Sequence, residues 1–116
     1  NLGVVYRTLG AYDLAVREYT TVLKLSPDDV MARYNLGNVY LAQGRVPEAI
    51  GEYEAAVKLI PDYDEVRNNL GIAYCRIGRI DAAVREFDRA LRLNPQNVNA
   101  FNNREACIRK STAPAK

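Results

Sequence analysis

The feature that most constrains this chain is an internal repeat with a period of 34 residues. Shifting the sequence by that period superimposes three Asn-Leu-Gly triplets, which begin at residues 1, 35 and 69. Other landmarks keep the same register in all three copies, and in the second copy they are Tyr40, Gly44, Ala49, Tyr53 and Pro61. A unit of this length cannot bury its apolar face alone, so neighbouring units must stack. The sequence therefore predicts an array of similar units.

The second copy predicts two helices separated by a glycine. An apolar stripe recurs at every fourth position of the first helix, at Ala32, Leu36 and Tyr40. Gly44 follows the stripe, where a left-handed helix end favours glycine. A second helix is expected to begin near Pro47 and to stop at Pro61, with Asp62 and Asp64 as turn and N-cap residues. Each copy is thus predicted to be a helix–turn–helix.

Small residues are predicted to bring the two helices of a copy together. Gly37 and Ala49 carry almost no side chain, so the two backbones can approach closely there. Tyr40 and Tyr53 are expected to fill the space around this contact.

This pattern resembles that of the tetratricopeptide repeat family. The residues that carry the resemblance are Asn35, Leu36, Gly37, Tyr40, Gly44, Ala49, Tyr53, Ala56 and Pro61. It covers residues 1 to 109 and implies an all-α fold, a right-handed α-solenoid of antiparallel helix pairs with a C-terminal capping helix. We expect a single domain with a truncated first repeat at 1–29, whole repeats at 30–63 and 64–97, a capping helix at 98–109 and a disordered tail at 110–116. Arg104 and Glu105 make the last helix polar, as the cap of a solenoid requires.

Composition argues against several classes of function. The chain has no histidine, which removes the commonest general base and the commonest metal ligand. We therefore expect no enzymatic activity, no metal and no cofactor. Sixteen Lys and Arg against fourteen Asp and Glu leave a net charge of +2, too small to predict nucleic-acid binding. No apolar run is long enough for membrane insertion, and the compartment stays open, with the cytoplasm favoured.

A second face of the first helices lies opposite the core stripe. In tetratricopeptide proteins this face lines a concave groove that binds peptides. From the equivalent positions in this sequence, we expect the groove to be lined by largely polar residues. They are Met31, Tyr34, Asn35, Asn38, Glu65, Asn68, Asn69, Ile72, Arg76, Asn99, Asn102 and Asn103.

Asparagine is the most regular member of this face, since Asn1, Asn35, Asn69 and Asn103 recur with the period of the repeat. A carboxamide both donates and accepts, so such a row could hold a peptide backbone with little sequence preference. The row is similar to the asparagine ladder of O-linked N-acetylglucosamine transferases. The alternative is that each asparagine bonds a neighbouring helix or caps local backbone.

A second binding mode of the family is expected to be absent. Co-chaperones of the family clamp the C-terminal carboxylates of heat-shock chaperones with two asparagines and three basic residues. Asn38 and Asn69 match the asparagines, but Tyr34, Asn99 and Asn103 occupy the basic places. The charge-assisted hydrogen bonds of that mode are therefore not predicted.

Cysteines and arginines give two further expectations. Cys75 is expected to face the groove and Cys107 to pack at the cap, so the two should not pair. Four arginines, Arg79, Arg85, Arg89 and Arg92, are interleaved with acidic residues along one helix. They predict an ion-paired outer face involving Asp81, Glu86 and Asp88.

Three functions remain open. The first is a binding module, a scaffold or adaptor whose groove takes a protein or peptide partner of unknown identity. The second is a self-assembling unit, a homo-oligomer that stacks through the truncated N-terminal repeat around Leu2. The third is a substrate-recruiting segment of a larger enzyme, such as a protein resembling an O-linked N-acetylglucosamine transferase.

Overall fold

The computed structural model describes the backbone of residues 2–112 and the side chains of residues 10–110. In that part of the chain there are six helices: α1 (Leu2–Leu25), α2 (Val30–Ala42), α3 (Val46–Leu59), α4 (Asp64–Arg76), α5 (Ile80–Leu93) and α6 (Val98–Thr112). Helix α2 packs against α3, α4 packs against α5, and α6 packs against both α4 and α5. The prediction of an all-α solenoid of helix pairs is confirmed.

Both whole repeats turn at a glycine in the left-handed conformation. Gly44 has φ 78° and Gly78 has φ 81°. In the second repeat the Arg45 amide donates to the Tyr40 carbonyl at 2.8 Å, which closes the end of α2 in a Schellman pattern. The Arg45 guanidinium also lies 4.6 Å from the centre of the Tyr40 ring. The third repeat reproduces the glycine, the hydrogen bond and the ring contact.

The first repeat does not turn. Helix α1 is continuous through Gly10, so the helix–turn–helix predicted for residues 1–29 is wrong. Ala11 stands where the whole repeats have the arginine that lies over a tyrosine, and alanine is the strongest helix former. Because the two halves do not fold back on each other, Tyr19 is only half-buried, whereas its equivalent Tyr53 is fully buried.

The N-cap positions follow the period of the repeat. Asp29 caps α2, its carboxylate accepting from the Ala32 amide at 3.0 Å. One period later the N-cap is Tyr63, which makes no side-chain cap bond. Asp64, which was expected to cap, is instead the first residue of α4, and its carboxylate accepts hydrogen bonds from the loop before α6.

The capping helix is longer than predicted. Helix α6 extends to Thr112, so residues 110–112 of the expected tail are helical. Residues 113–116 lie outside the described part of the chain. Arg104 forms ion pairs with Asp88 at 2.7 Å and with Glu105 at 3.0 Å, so the polar side of the cap contacts α5.

In each whole repeat an aromatic ring of the second helix lies directly against a glycine of the first helix. A Cβ placed on Gly37 would lie 2.6 Å from a ring carbon of Tyr53, and one on Gly71 would lie 2.7 Å from a ring carbon of Phe87. Both aromatic rings are fully buried and cannot move aside without opening the core. Gly37 thus leaves room for the Tyr53 ring, and the predicted backbone approach between Gly37 and Ala49 stays a prediction.

Alanine at Gly71 is therefore expected to destabilise the protein. The clash with Phe87 costs roughly 1–3 kcal/mol, and alanine recovers up to about 1 kcal/mol through helix propensity. The net loss should be about 1–2 kcal/mol in the free energy of unfolding measured in urea. Gly51→Ala is the matched control: a Cβ there meets nothing within 4 Å in α3, so this variant should gain about 0.5–1 kcal/mol. Equal urea midpoints for the two variants would contradict the packing argument.

Candidate peptide groove

The first helices of the repeats, α2, α4 and α6, contribute to one shared face with α4 in the middle. At the N-terminal ends of α4 and α6 this face holds a cavity of about 510 Å³, here called the N-terminal cavity. Its lining is mostly polar: Tyr34, Asp64, Glu65, Asn68, Asn69, Asn94, Gln96, Asn97, Val98 and Asn99. A second cavity of about 170 Å³, the C-terminal cavity, is lined by Ile72, Cys75, Arg76, Phe87, Asn103, Ala106, Cys107 and Lys110. The two cavities together are called the groove.

The structure brings most of the predicted groove residues together. Five line the N-terminal cavity: Tyr34, Glu65, Asn68, Asn69 and Asn99. Three line the C-terminal cavity: Ile72, Arg76 and Asn103. Four line neither cavity: Met31, Asn35, Asn38 and Asn102.

Sequence reasoning missed the part of the N-terminal cavity formed by the loop before α6 and by the first residues of α4 and α6. The residues concerned are Asn94, Gln96 and Asn97 of the loop, Asp64 of α4 and Val98 of α6. The Asp64 carboxylate accepts hydrogen bonds from Asn97 at 2.9 Å and from Asn94 at 3.3 Å, which fixes the loop against α4. The concentration of amides between positions 94 and 97 was the available signal.

Four asparagines form a chain of hydrogen bonds across the helices. Asn103 of α6 donates to Asn68 of α4 at 3.1 Å, and Asn68 donates to its neighbour Asn69 at 3.4 Å. Asn69 donates to Asn38 of α2 at 2.8 Å. The Tyr53 hydroxyl of α3 donates to the same Asn38 oxygen. The chain therefore ties α2, α4 and α6 to the buried core.

The predicted row of asparagines therefore contains two kinds of residue. Asn69 and Asn103 bond neighbouring helices, as the alternative interpretation proposed. The side chains of Asn35, Asn99 and Asn102 make no hydrogen bond to any described residue. Of the described asparagines that recur with the period, Asn35 thus makes no such bond, and Asn99 and Asn102 are open carboxamides outside that row.

One buried polar contact distinguishes the second repeat from the third. Tyr53 is fully buried, and its hydroxyl finds Asn38 as a partner. Burial raises the pKa of the Tyr53 phenol, so the hydroxyl remains a donor. One period later both positions are apolar, Ile72 and Phe87. In these two repeats the hydroxyl and its acceptor are present together or absent together, whereas the first repeat has Val4 with Tyr19, which is only half-buried.

The hydrogen bond between Tyr53 and Asn38 predicts that substitutions at these two positions have non-additive effects on the free energy of unfolding. Asn38→Ile should cost about 1–3 kcal/mol, because the Tyr53 hydroxyl is left buried without its acceptor. Adding Tyr53→Phe should recover most of that loss, because the pair then matches Ile72 and Phe87. The measurement is a double-mutant cycle in urea. Additive losses would show that the contact does not couple the two positions.

Aromatic side chains extend the groove face at α2. The Tyr34 ring lies 6.2 Å from the Tyr53 ring and 5.8 Å from the Tyr63 ring. The Tyr63 hydroxyl donates to the sulfur of Met31 at 3.3 Å, and Met31 is 49% exposed. Tyr34 also accepts from Asn69 at 3.3 Å, so its ring is held beside the N-terminal cavity.

The prediction that the cysteines do not pair is wrong. Cys75 and Cys107 form a disulfide, with their Cα atoms 6.1 Å apart. Both cysteines line the C-terminal cavity, because α6 packs directly on α4. The prediction placed each cysteine on its own helix and took no account of this packing. Cys75 and Cys107 therefore give no evidence for a reducing compartment.

The ion-paired outer face predicted for α5 is also wrong. Glu86 pairs with Arg67 of α4 at 2.8 Å, and Asp88 pairs with Arg104 of α6 at 2.7 Å. Glu86 and Asp88 thus bind α4 and α6 to α5. Within the described side chains, none of the four arginines of this face forms an ion pair; they are Arg79, Arg85, Arg89 and Arg92.

None of the described helices combines the length and the apolar content that a membrane span requires.

Comparison with known proteins gives matches to one family. Two family models, both described as tetratricopeptide repeat, match residues 1–64 and 44–103. No curated protein sequence matches the chain.

Several solved structures have the same fold. The first tetratricopeptide domain of Spaghetti (RPAP3), bound to the HSP90 peptide SRMEEVD, has a TM-score of 0.85 at 23% identity, over 96% of this chain and 88% of that one. MamA has a TM-score of 0.83 at 30% identity, over 95% of this chain and 64% of that one. The Thermobaculum terrenum O-GlcNAc transferase has a TM-score of 0.80 at 24% identity, over 86% of this chain and 19% of that one. This chain therefore spans less than two thirds of MamA and about a fifth of the transferase.

The period of the sequence, the paired helices with their glycine turns and the family matches agree, and the chain belongs to the tetratricopeptide repeat family.

Proposed function

We propose that this chain is a protein–protein interaction module that binds an extended peptide segment in its groove, as a scaffold or adaptor in a multiprotein complex. The observation that carries the proposal is the N-terminal cavity, about 510 Å³ in volume and lined largely by carboxamides. Carboxamides offer both donors and acceptors, as a peptide backbone requires. The RPAP3 domain of the same fold is bound to a peptide, which supports this assignment.

The ligand differs in chemistry from the acidic HSP90 peptide of that complex. Tyr34 and Asn99, which stand at two of the basic places of the family clamp, line the N-terminal cavity. Neither can form the charge-assisted hydrogen bonds that a terminal carboxylate favours. The groove is therefore a recognition surface for another class of peptide, and we assign it no catalytic step.

The test of this proposal replaces carboxamides of the groove that make no hydrogen bond to a described residue. Gln96→Ala combined with Asn99→Ala removes two exposed side chains that line the N-terminal cavity and make no hydrogen bond to a described residue, so the fold should be retained. Pull-down from a cell extract, followed by mass spectrometry, should recover specific partners with the parent chain and fewer with the double variant. Lys58→Ala, an exposed change on α3 outside the groove, is the matched control.

Helicity measured by circular dichroism should be the same for all three proteins. Equal recovery of the same partners by the parent chain and the Gln96/Asn99 variant would contradict binding through the groove.

A second candidate, self-association through α1, is favoured by one observation. Because α1 is one continuous helix, it leaves apolar side chains exposed, among them Leu14 at 54% and Val22 at 38%. Another copy could cover this face. Sedimentation velocity over a wide concentration range tests it, and a monomer at every concentration would rule out association through α1.

A further inference from the structure

The two ends of the groove carry opposite charge. Among the described residues that line the N-terminal cavity, the charged ones are Asp64 and Glu65, and none is Lys or Arg. Among those that line the C-terminal cavity, the charged ones are Arg76 and Lys110, and none is Asp or Glu. A ligand lying along α4 therefore meets negative charge at one end and positive charge at the other.

The negative end has a carboxylate that is free to receive a cation. Asp64 is already engaged, because one of its oxygens accepts from Asn94 and Asn97. Glu65 is exposed and makes no hydrogen bond or ion pair with any described residue. An incoming ammonium or guanidinium can reach it without displacing an internal partner.

At the positive end of the groove, Arg76 makes an internal hydrogen bond and still has donors for a ligand. One nitrogen of Arg76 donates to the Leu41 carbonyl at 3.2 Å, which anchors the guanidinium beside the groove. A guanidinium has five N–H donors, so others remain for a carboxylate. Lys110 is exposed at the same end. Ile72 supplies an apolar side chain in the same cavity.

Helix geometry sets the spacing between the two ends. Glu65 and Arg76 are eleven positions apart on α4. At about 1.5 Å per residue the separation along the helix axis is about 16 Å. An extended peptide covers that distance in about five residues at ~3.3 Å each.

We propose that the groove selects an extended peptide segment that has a Lys or Arg at one end and, about five residues away, an Asp, a Glu or a terminal carboxylate. The proposal rests on the proposed function, since it names the class of peptide that the groove takes. It follows from charge complementarity at both ends of the groove. The same charges also complement the dipole of α4, so the test must measure ligand preference rather than stability.

The test uses three capped peptides of about ten residues, identical except at two positions about five residues apart. One carries Lys and Glu, the second Gln and Gln, and the third Glu and Glu. Fluorescence anisotropy with the full chain measures each dissociation constant. The Lys–Glu peptide should bind about tenfold more tightly than the Gln–Gln peptide, and the Glu–Glu peptide should bind no more tightly than the Gln–Gln peptide.

A matched pair of variants locates the effect. Glu65→Gln should weaken binding of the Lys–Glu peptide about threefold and leave the Gln–Gln peptide unchanged. Glu48→Gln, which alters an exposed glutamate on α3 outside the groove, should change neither.

The outcomes separate the two proposals. Equal binding of the Lys–Glu and Gln–Gln peptides, or tightest binding of the Glu–Glu peptide, would overturn the charge preference while leaving peptide binding intact. Failure of all three peptides to bind would overturn both. A Glu65→Gln variant that retains the full Lys–Glu preference would also overturn the role given to the negative end.

Discussion

Replacing Glu86 by alanine is expected to destabilise the protein by about 3 kcal/mol, because it leaves the Arg67 guanidinium without its partner inside the structure. Arg67 is 7% exposed, and its ion pair with Glu86 is 2.8 Å long. The Arg67 Nε also donates to the Pro61 carbonyl at 2.9 Å, so the arginine cannot turn out to solvent without losing a second bond. Thermal unfolding should show a fall in Tm of about 10 °C.

The matched control for this prediction is Glu48→Ala. Glu48 pairs with Arg45 at 2.9 Å, but both side chains are exposed, so no measurable change in Tm is expected. Arg67→Met combined with Glu86→Ala should be less destabilising than Glu86→Ala alone, because no buried charge remains. A double variant as unstable as the sum of the two single variants would contradict the explanation.

Reduction of the disulfide is expected to lower the free energy of unfolding by about 3–4 kcal/mol. Cys75 and Cys107 are 32 positions apart, and cross-linking a chain segment of that length restricts the unfolded ensemble strongly. The bond also fastens α6 to α4, so its loss should increase hydrogen exchange in α6 before the other helices. Urea unfolding with and without a phosphine reductant measures the difference.

The control for reduction is the double variant Cys75→Ala and Cys107→Ala. Its urea midpoint should be the same with and without reductant. Alkylation of the native, unreduced protein provides an independent check, since neither cysteine should react. Rapid modification of both residues without reductant would show that the disulfide is not formed.

The repeat predicted the helices well because each landmark acts locally. Gly44 ends α2 through its own φ angle, and Pro47 begins α3 through its own ring. The same reasoning failed at Gly10, where α1 is continuous and alanine instead of arginine follows the glycine. Period alone therefore predicts where a turn can occur, but not whether it does.

Contacts between helices were harder to predict than the helices themselves. The sequence places Glu86 and Asp88 close to arginines of their own helix, yet both carboxylates bind arginines of neighbouring helices. Partner choice depends on how helices pack, and a one-dimensional pattern does not contain that information. The groove is a second example. The position of each residue in the repeat predicted which face forms the groove, but the hydrogen bonds between helices decide which asparagines remain available to a ligand.

The hydrogen bond of Tyr53 with Asn38, and the apolar residues Phe87 and Ile72 at the equivalent positions, limit how these repeats can be recombined. A crossover in the loops between repeats keeps each aromatic residue with its own partner. A crossover at Gly78 would join α4 to α3, and would bury the Tyr53 hydroxyl against Ile72 without an acceptor. Duplication, deletion and shuffling of this array should therefore succeed in whole units whose boundaries lie near Pro27, Pro61 and Pro95. The exchangeable module is the helix pair and not the single helix.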